Sequence, residues 1–146
     1  MEKNFLKLQF EQDNDGTGEL IAEVFSNGYS GIGSAWFNSD TLIEFAQKLR
    51  TYPILKESPI ELAGGYWDQG TLKETHFSFK AYPIGSKGNI GIRIKVSTPV
   101  DYDRPENQHM TEVEISTLYS ELGLFAEHVT QMVKGQTKEA ILEPTP

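Results

Sequence analysis

Asn89-Ile90-Gly91-Ile92-Arg93-Ile94-Lys95-Val96 decides how this chain is read. Ile90, Ile92, Ile94 and Val96 fall on one side, Arg93 and Lys95 on the other. A period of two means a strand with one face buried and one in water, the habit of an antiparallel sheet. Upstream, Gly85-Ser86-Lys87-Gly88 turns the chain, and residues 72–82 alternate again. There Phe77, Phe79 and Ala81 oppose Glu74, His76, Ser78 and Lys80. Strands joined by short turns pair as antiparallel neighbours.

The same reading extends both ways. Residues 59–67 form a strand containing Gly64-Gly65, and residues 109–115 form another beyond the polar, proline-containing loop 99–107. The first third holds three strands: 5–10, 20–26 and 29–38. Asn27-Gly28 between the last two is a strong hairpin signal, because both residues tolerate positive φ. A helix follows from Ser39, with Leu42, Ile43, Phe45, Ala46 and Leu49 as its apolar stripe and Tyr52-Pro53 as its stop. A second helix spans 118–134, on Leu118, Leu122, Phe125, Val129 and Met132, with Gly135 beyond its end. Residues 136–146 are a tail, within which 138–143 reads as a short edge strand. The order β-β-β-α-β-β-β-β-α implies an α+β fold. One mostly meander, antiparallel sheet of about seven strands carries both helices on one face. No internal repeat and no second domain is visible within residues 1–146.

Composition narrows the function. There are no cysteines, so thiolate metal sites and cysteine nucleophiles are excluded. The 21 acids and 13 bases give a net charge of −8. That field repels phosphate backbones and draws a basic protein inward. Neither a signal-peptide core nor an apolar run of membrane length is present, so the expected location is cytoplasmic. No nucleic acid, membrane or cofactor is expected as a partner, and open sheet edges would allow a homodimer.

Several motifs stop short of chemistry. Glu11-x-Asp13-x-Asp15-Gly16 opens like a calcium loop, but the twelfth position is Ala22 and not glutamate. Gly31-Ile32-Gly33-Ser34 lacks the lysine of a phosphate loop and the second half of a nucleophile elbow. Alternate glycines instead clear one strand face for something to lie close, with a helix or aromatic rings as the expected occupant. No catalytic residue is assigned. The candidate contact residues are Trp36 and Trp67 beside the glycines, Glu74 and His76 on one strand face, Arg93 on the outward sheet face, and Arg104 and His109 in the polar loop. If strand 72–82 lay beside strand 109–115, a carboxylate–histidine group would form there.

Four segments carry a resemblance. They are Gly31-x-Gly33-Ser34-Ala35-Trp36-Phe37, Leu62-x-Gly64-Gly65-Tyr66, Tyr82-Pro83-x-Gly85-x-x-Gly88 and Arg104-Pro105-Glu106-x-Gln108-His109. Together they resemble a group of small uncharacterised bacterial proteins, a domain of unknown function. Size, acidity and strand-rich order are also similar, in style and not in motif, to toxin-immunity proteins. From the negative charge, the lack of catalytic motifs and an open sheet face rich in charged and aromatic groups, the expected function is an acidic protein-binding module, of immunity type. The alternative is a small-ligand binder or enzyme with an aromatic pocket between sheet and helix.

Overall fold

A computed structural model describes residues 3–145. The fold is α+β, with eight strands and two helices. In chain order these are β1 Phe5–Gln12, β2 Thr17–Ser26, β3 Tyr29–Asn38, α1 Ser39–Lys48, β4 Ile60–Asp68, β5 Thr71–Ile84, β6 Asn89–Ser97, β7 Met110–Leu118, α2 Tyr119–Val133 and β8 Glu139–Leu142. A 3-10 turn, Pro105–Asn107, sits in the loop before β7. No helix among the described residues is long and apolar enough to cross a membrane.

The expected single sheet is in fact two, each antiparallel and four-stranded. The first has the order β3-β2-β1-β8, the second β4-β5-β6-β7. Both expected meanders exist, but β3 does not pair with β4. The chain leaves β3 through α1 and the segment 49–59, and starts a new sheet. Each sheet has one apolar face to hide; β3 packs across the second sheet, and the helices lie against both sheets. The buried set Leu6, Leu8, Leu20, Ala22 and Val24 of the first sheet joins Phe77, Phe79, Ile92 and Ile94 of the second in one core.

The glycines of β3 set how closely the sheets meet. A methyl group on Gly33 would stand 2.8 Å from the His76 carbonyl oxygen and 2.9 Å from Val96 Cβ. The occupant of the cleared face is thus the second sheet itself, backbone at Gly33 and the Thr111 and Val96 side chains at Gly31, and not a helix or ring. Hydroxyls stitch the seam: Thr111 Oγ1 donates to Ser30 O at 2.6 Å and Ser26 Oγ to Glu114 O at 3.0 Å.

The helices close the core. Each carries Leu-x-x-Phe-Ala on its buried side, Leu42 to Ala46 in α1 and Leu122 to Ala126 in α2. Phe79 of β5 meets Phe45 edge-on at 4.9 Å and stacks with Phe125 at 6.4 Å. One ring of the sheet therefore holds both helices.

These repeated pentapeptides mark a duplication of architecture that is invisible in the sequence at large. Each sheet is followed by its helix: β8-β1-β2-β3 by α1, and β4-β5-β6-β7 by α2. The registers match as well. Leu6 faces Val24 and Leu142 in one sheet as Phe77 faces Val96 and Gly64 in the other.

Candidate functional site

The site begins at a distortion of β5. Gly64 pairs with Phe77, but Gly65 pairs with Thr75, so His76 is an extra residue and the strand bulges. A second shift between Tyr66 and Trp67 leaves Lys73 extra. Bulges re-aim side chains and gather near functional sites. Glycine is required opposite, because a methyl group on Gly65 would collide with the Glu74 carbonyl oxygen. Ser97 Oγ of β6 fills the distorted ladder by donating to Thr75 O at 3.0 Å.

Glu74 is the hub. Its carboxylate accepts from the Tyr102 hydroxyl, from His76 Nε2 at 3.1 Å and from Val100 N at 3.1 Å. With the carboxylate ionised, the bond to His76 requires the Nε2–H tautomer. The Tyr102 hydroxyl, then His76 and the Val100 amide, hold Glu74 down to a pKa of about 2. The same bond pushes the Tyr102 phenol above its ordinary value. Glu74 and His76 are mostly covered, with side chains 14% and 13% exposed, whereas Tyr102 is 75% exposed. Glu74 thereby fastens the loop after β6 to the end of β5.

Beside this hub lies an open groove of about 510 Å³. Its walls come from both sheets: Glu19, Ile32, Ser34 and Trp36 from the first, Tyr66 and His76 from the second. Thr98 and Pro99 close one end. Trp36 is 55% exposed and Tyr66 50%. Ser34 and Ser97 also line it, but their hydroxyls donate to Glu19 Oε2 and Thr75 O, not to His76. Neither is set up as an activated nucleophile. Among the described residues no group of three or more histidines and acids is placed to hold a metal ion.

The sequence-derived candidates separate. Trp36, Glu74 and His76 come together here. Trp67 is half exposed on β4 but does not line the groove. Arg93 lies on the outer face of the second sheet, where its Nε is 3.5 Å from Glu112. Lys80 and Glu61 stand 3.8 Å apart on the same face, and Tyr82 donates to Glu114. Burial, then the Glu114 carboxylate, pushes the Tyr82 phenol up to about 12. That face is a solvated ladder of charges, each pair worth little.

Arg104 pairs within its own loop, Nε to Glu106 Oε1 at 3.2 Å. His109 joins through its backbone alone, exchanging hydrogen bonds with Thr98. The conditional carboxylate–histidine pair between strands 72–82 and 109–115 does not form, because β6 lies between β5 and β7. His76 finds its carboxylate two residues away on its own strand. Tyr66, beside the glycines of the aromatic-pocket alternative, and Tyr102, outside the contact candidates, complete the site. The only sequence signal for them was position: one follows Gly64-Gly65, the other sits in the polar loop. No known protein family, curated protein or solved structure matches this chain.

Proposed function

We propose that this chain is a protein-binding module whose docking surface is the groove between β3 and the bulged end of β5. The observation that carries the reading is the exposure of Trp36 and Tyr66 in a groove whose one charged lining residue, among the described residues, is Glu19. Exposed aromatic side chains rimmed by polar groups mark interaction surfaces, and tryptophan and tyrosine are the usual anchors. Ile32, Trp67, Tyr102 and Met110, all more than half exposed, extend the apolar surface on the strands and loop that surround it. The net charge of −8 speeds the approach of a basic partner. An acidic module that blocks a basic protein is the immunity-type arrangement.

The small-ligand or enzyme reading is weaker. The groove volume falls within the ligand range of about 300–1,000 Å³. Yet the aromatic wall lies between the two sheets, not between sheet and helix, and the two serine hydroxyls beside it are engaged.

Affinity capture from native lysate tests the proposal with three baits: the wild-type chain, Trp36→Ala/Tyr66→Ala, and Arg93→Ala as an outer-face control. A basic protein should be retained by the wild type and by the control, stay bound in moderate salt, and be lost by the groove variant. Identical capture by all three baits, or self-association alone, would overturn it.

A further inference from the structure

The groove presents a combination that selects one kind of side chain, and this step rests on the binding-module reading above. Trp36 and Tyr66 bring half-exposed rings from two different sheets to the same space. Ring faces attract cations, tryptophan most strongly. Glu19 stands directly opposite Trp36 in the β2–β3 register and lines the same groove. One of its oxygens accepts from Ser34 Oγ at 3.0 Å, and the other has no hydrogen-bond donor among the described residues. The ionised Glu74 lies behind His76. No lysine or arginine lines the groove, and none among the described residues forms an ion pair with Glu19 or Glu74. In a chain with 13 bases, Glu19 in the groove and Glu74, bonded to His76, both lack a lysine or arginine partner, which leaves the local charge negative.

We infer that this groove receives an arginine side chain of the partner protein. The guanidinium lies flat on the Trp36 indole, with Tyr66 on its other side. Its N–H groups donate to the free oxygen of Glu19, and the Glu74 carboxylate adds to the attraction. Arginine fits better than lysine for two reasons. Its planar fork stacks and donates at the same time, and it sheds water more readily than a compact ammonium.

The test uses short capped peptides, Gly-Arg-Gly, Gly-Lys-Gly and the neutral isostere Gly-citrulline-Gly, titrated into the 15N-labelled full chain. The arginine peptide should shift the Trp36 indole N–H, identified by its loss in Trp36→Phe, together with the Ser34 and Tyr66 amides. The citrulline peptide should leave these signals in place. Glu19→Gln, which keeps the shape of the wall, should weaken arginine binding about two- to fivefold. Equal shifts from citrulline, tighter binding of lysine, or no response at millimolar peptide would each overturn the inference. The two proposals fail separately. A captured partner that needs Trp36 and Tyr66 while the arginine peptide is silent sinks the arginine site and leaves the docking surface standing. A partner indifferent to both rings sinks the surface itself.

Discussion

Glu74 shows how one residue can tie a loop to a sheet. Three donors converge on it from Tyr102, His76 and Val100, and they act on the ionised form alone. Its folded pKa of about 2 lies below the ordinary 4.5. A depressed acid stabilises the fold fully above its unfolded pKa and loses that contribution as pH falls toward the folded value. The Glu74 carboxyl should therefore stay ionised down to about pH 2, as followed by its 13C resonance. Glu74→Gln should be less stable than the wild type at neutral pH, and the gap should narrow between pH 4.5 and 2. The Val100 amide should exchange faster with solvent in the variant, and unchanged protection there would remove Glu74 as the latch. Half of this hub was legible in the sequence, since Glu74 and His76 share a strand face by simple alternation. The bulge was not, because its cause is the approach of Gly65 to the Glu74 carbonyl. Nor was Tyr102, which arrives from 28 positions away.

Elements with a strong local period were read correctly, and so were the pairings of successive strands within each run; the division into two sheets was not. The Asn27-Gly28 hairpin has φ of 52° and 92°, as a tight turn of that composition requires. The Ile90 to Val96 alternation gave β6 and its solvated side, and the stripe Leu122, Phe125, Val129, Met132 gave α2. Local pattern cannot tell that β3 and β4 part company, since that depends on α1 and residues 49–59 carrying the chain between sheets. In α2, Glu121 fixes the first turn. It accepts from Leu118 N and Thr117 Oγ1, and from Thr145 N and Oγ1 in the tail. Burial pushes its pKa up, but those hydrogen bonds outweigh burial and hold it below the usual value. Gly123, two residues later, contributes nothing comparable. A methyl group there would meet no heavy atom within 4 Å. Gly123→Ala should stabilise the protein by about 0.5–1 kcal/mol through helix propensity and a less flexible unfolded chain. Urea denaturation measures this, and a lower midpoint would show that α2 needs the glycine.

At the scale of the molecule, the two sheet-and-helix halves make a prediction about the order of the chain. Among the described residues every strand pairing but one joins consecutive strands, and the exception is β8 with β1. That pairing brings the chain ends together, with Lys3 Nζ 3.1 Å from Glu143 Oε1. The two halves share strand order, register and the Leu-x-x-Phe-Ala signature but little else in sequence, so alternation alone could not reveal them. A circular permutant can separate them cleanly. Positions 145 and 3 are joined by a short hairpin loop, and new termini are opened between Lys56 and Glu57. Those residues are exposed, and the cut costs one turn, in which Ser58 N donates to Leu55 O at 3.1 Å. The permuted order is β4-β5-β6-β7-α2 followed by β8-β1-β2-β3-α1, two contiguous units of one design. Exposed loop tips tolerate such cuts, so the permutant should fold with a wild-type circular dichroism spectrum and lose no more than about 2 kcal/mol. It should also fold faster in stopped-flow experiments, because the most distant pairing in the sequence becomes a local hairpin and contact order falls. A permutant that aggregates or folds more slowly would mean that the halves are alike in topology but do not form independently, and that the present chain order itself guides the two sheets together.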